Sequence, residues 1–179
     1  MATRSRIVTA LALATAIAAP STVLAQTSPI GRGRNIGLGL TFGWPNVGLS
    51  LNAFLSQQHS LQVDLTWSYR RDYGYFGARA DFLFWMQRLA SGSALDLRWY
   101  LGPGLNLGVV NGLYNRPDGK HYDSGFFLEA EVPIGLALQF KFPLDVTLEA
   151  IPRLYILDSS YGAFLGIDIA AAVNVRYYF

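Results

Sequence analysis

The chain of 179 residues contains no cysteine. Disulfides, thiolate metal sites and a cysteine nucleophile are therefore excluded, while passage through an oxidising compartment is permitted. Charged residues make up only 15% of the chain. Beyond the first 25 residues no helical period of useful length appears, and no apolar run approaches the 20 or so residues of a membrane-spanning helix. Phosphate-binding loops, clusters with metal-ligand spacing and a Ser/His/Asp arrangement are also missing. No cofactor is expected. The enzyme classes that such motifs announce have no support in the sequence.

What is present begins with an export signal. Arg4 and Arg6 form a positive start, Ile7 to Ala19 an apolar segment, and Val23 and Ala25 the small residues before a cleavage point after Ala25. Residues 26–34 read as a flexible lead-in, polar and interrupted by Gly and Pro. The whole chain carries 14 Lys+Arg against 12 Asp+Glu. Without Arg4 and Arg6 the balance is 12 against 12, so a nucleic-acid partner is not expected.

Residues 35–179 alternate. In Gly162–Phe179, Ile167, Ile169, Ala171, Val173, Val175, Tyr177 and Phe179 share one face, and Asp168, Asn174 and Arg176 lie on the other. A period of two is that of a β-strand. Seven earlier stretches repeat it: Asn35–Trp44, Val47–Leu55, Leu61–Tyr69, Tyr75–Met86, Leu95 through Val109, Gly125–Phe140 and Leu144–Ile156. Roughly fifty positions fall on the apolar faces and none is charged. The expected fold is all-β, a closed eight-stranded antiparallel up-and-down transmembrane barrel.

Volume decides which face points outward. The interior of an eight-stranded barrel is only just wide enough for its side chains. Trp44, Trp67, Trp99, Phe42, Phe76, Phe82, Phe84, Phe126 and Phe140 all lie on the apolar face. They do not fit inside with the leucines, so the apolar face looks out at lipid. Closure then pairs every backbone group and leaves no edge. Aromatic residues near strand ends (Trp44, Tyr69, Tyr177 and Phe179) suit interfacial girdles.

The opposite face places Asp64, Arg79, Asp81, Asp96, Arg98, Glu129, Glu131, Glu149, Arg153, Asp168 and Arg176 in the lumen. Four positive charges against seven negative must pair or stay wet. The expected result is a salt-bridged plug rather than an open pore. A tight turn at Lys141–Pro143 puts Glu131 opposite Arg153 and predicts an ion pair there. Pro103, Pro133 and Pro152 fall at similar heights on adjacent strands and predict a shared line of bulges, the alternative being that each strand ends there and resumes as a separate piece. The longest predicted loop is Asn111–Ser124, polar and aromatic, a candidate contact for an extracellular ligand.

The ending Val-Arg-Tyr-Tyr-Phe, residues 175–179, resembles the last strand of bacterial outer-membrane β-barrels. The segments Leu101-Gly102-Pro103-Gly104, Val132–Leu136 and Leu148–Pro152 look like those of small barrels of the same kind. In architecture the chain resembles eight-stranded proteins of the OmpA/OmpX type. The resemblance implies the bacterial outer membrane, with its lipids and lipopolysaccharide as surroundings. It also implies an assembly machinery that reads Tyr177 and Phe179, and a structural or surface-interacting role. Some eight-stranded barrels modify lipid A. His121, Ser124 and Glu129 are this chain's nearest approach to such a site, without a matching spacing, so no catalytic residue is assigned. A narrow path for small solutes is the other alternative.

Overall fold

The structure is a computed structural model that describes residues 34–43, 46–70, 73–116, 119–158 and 166–179. The expected export signal, Trp44 and the start of the last predicted strand lie outside the described residues. Ten strands follow in order: β1 (Ile36–Gly43), β2 (Val47–Phe54), β3 (His59–Arg70), β4 (Tyr73–Ser91), β5 (Leu95–Leu101), β6 (Gly104–Arg116), β7 (Gly119–Glu131), β8 (Ile134–Phe140), β9 (Leu144–Asp158) and β10 (Gly166–Tyr178). β5 and β6 are two pieces of one wall stave, joined through Gly102-Pro103, and β7 and β8 are two pieces of another, joined through Val132-Pro133.

The wall therefore has eight staves, each antiparallel to its neighbours. β1 pairs with β2, β2 with β3 and β3 with β4. β4 takes both β5 and β6, while β9 takes both β7 and β8. β10 pairs with β9 on one side and with β1 on the other, from Gly37↔Tyr178 to Gly43↔Ala172. That last ladder closes the ring.

Burial follows parity. Trp67 is 42% exposed and Phe82 36% exposed on the outer wall, whereas Glu131 is 3% and Arg176 0% exposed inside. This inverts the usual arrangement of a water-soluble core. At the end that carries Phe179, the interior is filled instead by Phe54, Leu83, Trp85, Tyr100, Ala137 and Tyr178. Inward glycines make room for these rings. A Cβ on Gly37 would come within 2.6 Å of the Tyr178 ring, and one on Gly135 would overlap the Tyr100 ring.

The expected bulge line is corrected. Asp81↔Gly104 and Phe84↔Leu101 are three residues apart on both strands, so no residue is inserted at Pro103. Gly104↔Glu131 and Leu101↔Ile134, then Glu131↔Arg153 and Ile134↔Ala150, keep step in the same way. β9 runs unbroken through Pro152. Ladder bonds persist from Phe82 N to Pro103 O at 3.0 Å, Gly102 N to Pro133 O at 3.3 Å, and Val132 N to Pro152 O at 3.1 Å. Proline has no N–H, so each return bond is lost while the register holds. The register shifts that do occur lie elsewhere, at Leu128/Glu129 against β9 and between Trp85 and Ala90 against β5.

The predicted loop 111–124 is also corrected. β6 and β7 stay paired through it, from Asn111↔Ser124 to Arg116↔Gly119. A polar sequence can extend a hairpin in this way because pairing satisfies its backbone groups whatever the side chains are.

Gly135→Leu is expected to displace the Tyr100 ring and destabilise the barrel by about 1–3 kcal/mol, the usual cost of overpacking. Urea unfolding of the protein refolded into vesicles measures this.

Candidate functional site

The inward parity of four strands, β3, β4, β7 and β9, brings one guanidinium against four carboxylates. Arg79 on β4 pairs with Asp64 on β3, with Glu149 on β9 at 2.7 Å, with Asp81 on its own strand at 3.0 Å and with Glu131 on β7 at 3.4 Å. All five side chains are buried. The Asp64–Arg79 contact is a directly opposed cross-strand pair. Glu149 reaches Arg79 from the far wall, so the cluster ties opposite sides of the barrel together.

Gln62 extends the tie. Its amide nitrogen donates to Asp64 Oδ2 at 3.1 Å and Glu149 Oε1 at 3.0 Å, while its oxygen accepts from Arg176 Nη1 at 2.6 Å. Arg176 Nε donates to Asp145 Oδ1 at 3.0 Å, directly across the β9–β10 ladder. Tyr178 donates its hydroxyl to Asp145 Oδ2 at 2.7 Å, and Tyr100 donates to Glu149 Oε1 at 2.6 Å. Charge and aromatic layers are thus joined by short hydrogen bonds. Such charge-assisted bonds are roughly twice as strong as neutral ones.

A second group lies toward the opposite end. Arg153 Nη2 donates to Asp168 Oδ2 at 2.7 Å, and Nη1 lies 3.4 Å from Glu129 Oε2. Asn106 Nδ2 donates to the same Glu129 oxygen at 2.8 Å. The predicted register is present, with Glu131 opposite Arg153, but the predicted ion pair is not. Glu131 lies in the Arg79 cluster, while Arg153 meets Asp168, its partner on the other side, and Glu129.

Asp96 and Arg98 share the inward parity but sit at the rim, because β5 starts there. Asp96 accepts from Ser91 Oγ at 2.6 Å and pairs with Lys141 at 2.9 Å and Arg88 at 3.5 Å. Arg98 lies over the Trp85 ring at 5.4 Å and donates to the carbonyls of Gln57 and Met86, both at 3.2 Å. The two are therefore outside the central network. Tyr177 and Phe179 point outward at the same end with their rings 5.1 Å apart.

Sequence reasoning missed Asp145, Gln62, Tyr100 and Tyr178 as members of the network. Their signal was parity: Asp145 shares its face with Thr147 and Glu149, and Tyr178 shares its face with Arg176. Among the described residues no group of three or more His, Asp or Glu is arranged to hold a metal. The side chain of His121 lies outside the described residues. Glu129 turns into the interior, where Asn106 and Arg153 engage it.

A closed antiparallel barrel with an apolar outer wall and a charged, tied interior defines the class. Among solved structures, the N-terminal β-barrel domain of Pseudomonas aeruginosa OprF has the same fold: TM-score 0.55, 14% identity, covering 81% of this chain and 96% of that one. No protein-family model matches the chain. No curated protein matches it either.

Arg79→Met would leave four buried carboxylates without their shared cation. The expected loss is about 3–5 kcal/mol, as when one partner of a buried pair is removed. Urea unfolding in vesicles is expected to show this at neutral pH.

Proposed function

We propose that the chain is an integral protein of the bacterial outer membrane. Its barrel is a stable wall element, and its β6–β7 hairpin is the part offered to the exterior. The observation that carries this reading is the inversion of burial on a ring with no open edge. A water-soluble barrel gains nothing from exposing Leu107, Phe126 and Leu148 while burying Arg176. In hydrocarbon the same arrangement is the favourable one, and closure leaves no unpaired strand edge. The likeness to the OprF barrel supports it at the level of fold.

Both alternatives have specific observations against them. A lipid A-modifying centre built on His121, Ser124 and Glu129 needs a free acid, and Glu129 is engaged inside the wall. A narrow path for small solutes has to pass Gln62 and Arg79, whose bonds cross the lumen from β3 and β4 to Glu149 on β9. The remaining role is structural or surface-interacting. Assembly is expected to depend on recognition of Tyr177 and Phe179.

Membrane-extracted protein should migrate faster on a gel before heating than after, the mark of a compact barrel. Planar-bilayer recordings should give no large stable conductance. Deleting Phe179 should lower the amount assembled in the outer membrane several-fold, read by fractionation. Shortening the hairpin between residues 111 and 124 should leave gel behaviour intact. A soluble, water-filled or heat-insensitive product would overturn the proposal.

A further inference from the structure

The outer wall is not evenly convex. A groove of about 800 Å³ crosses it, lined mostly by apolar residues of β3, β4, β6, β7, β9 and β10 and of the proline joints between strands, with the inward-facing Asp81, Glu131 and Arg153 also bordering it. Its course follows the register. One line runs Ala80↔Leu105, Leu105↔Ala130, Ala130↔Leu154 and Leu154↔Ile167. A second, one step lower, passes Leu61, Phe82, Pro103, Val132 and Pro152. Ala80, Ala130 and the compact proline rings make the depression, while Phe82 and Leu154 stand up as its banks.

Five strand spacings separate Leu61 from Ile167, roughly 24 Å. Because strands of such barrels tilt by about 35–45°, a line across them climbs the wall. Leu61 is near the start of β3, at the end that carries Phe179, and Ile167 is near the start of β10, at the opposite end. The groove therefore slants through the apolar band instead of circling it. Water is a poor occupant at this depth, and an empty groove forfeits dispersion contacts.

We propose that this groove holds one acyl chain of a glycerophospholipid from the leaflet at the Phe179 end, an inference that rests on the membrane reading above. Charge selects that leaflet. Below the groove on the same staves, Arg88 and Lys141 are half-exposed and share a single carboxylate, Asp96. They leave a positive charge for a lipid phosphate. At the other end of the groove one guanidinium, Arg153, is shared by two carboxylates, Asp168 and Glu129, and the negative charge left over disfavours a phosphate. A second copy of the chain is a poorer occupant. A two-fold contact through this face would set groove against groove and leave the space empty.

The test uses the full barrel in phosphatidylcholine vesicles containing phosphatidylglycerol spin-labelled near the end of one acyl chain. The parent should show a motionally restricted component. Ala80→Phe with Ala130→Phe fills the groove from outside and should remove about one restricted chain per barrel. Ala130→Leu alone should move in the same direction. Arg88→Gln with Lys141→Gln should keep the restricted component but weaken its preference for phosphatidylglycerol over labelled phosphatidylcholine. Unchanged restriction in the filled variants, or disulfide-linked dimers formed through Ala130→Cys, would overturn the site while leaving the inserted barrel intact. Failure of the parent to enter vesicles would remove the membrane reading itself, and the site with it.

Discussion

The ladder between β1 and β10 is the contact on which the rest depends. Without it the sheet has two edges, each a row of unpaired N–H and C=O groups. Each such group would cost several kcal/mol in hydrocarbon, so in the membrane setting proposed above an open sheet is not an alternative state. With the ladder formed, β1 and β10 are locked together, and Phe179 N donates to Ile36 O at 2.9 Å. Closure also creates an inside. Only then can alternation along each strand become a separation of apolar surface from charge.

That inside is packed in layers. The ring of Phe54, Trp85, Tyr100 and Tyr178 seals one end, and the Arg79 and Arg176 clusters occupy the levels above it. The Tyr178 and Tyr100 hydroxyls join the two by donating to Asp145 and Glu149. A buried ion pair is weak evidence for stability, because desolvation offsets much of the attraction. Its value here is specificity. Gln62, Arg79 and Glu149 come from three strands, so their bonds form only when the strands are in the correct register. A slip of one residue would turn every one of them onto the outer, apolar face.

Much of this was legible from parity. The closed eight-stave wall, the outward Trp67 and Phe82, and the inward Arg79, Glu131 and Arg176 all follow from a period of two. The pairing of charges was not legible, because a side chain several atoms long can choose among opposite, diagonal and cross-barrel partners. Glu131 faces Arg153 in register yet joins the Arg79 cluster, while Arg153 takes Asp168 instead. The prolines misled for a related reason. A missing N–H removes a single ladder bond and does not require an inserted residue, so Pro103 and Pro133 interrupt the strands without shifting them. Composition also hid the paired hairpin at 111–124, since polarity resembles a loop while the backbone remains free to pair.

Oxygen accessibility along β6 tests the central claim most directly. A nitroxide placed singly at Leu105, Asn106, Leu107, Val109 and Val110 of the vesicle-inserted barrel reports contact with hydrocarbon. High accessibility is expected at the outward Leu105, Leu107 and Val109, and low accessibility at the inward Asn106 and Val110. A flat profile, or one with the opposite phase, would contradict it.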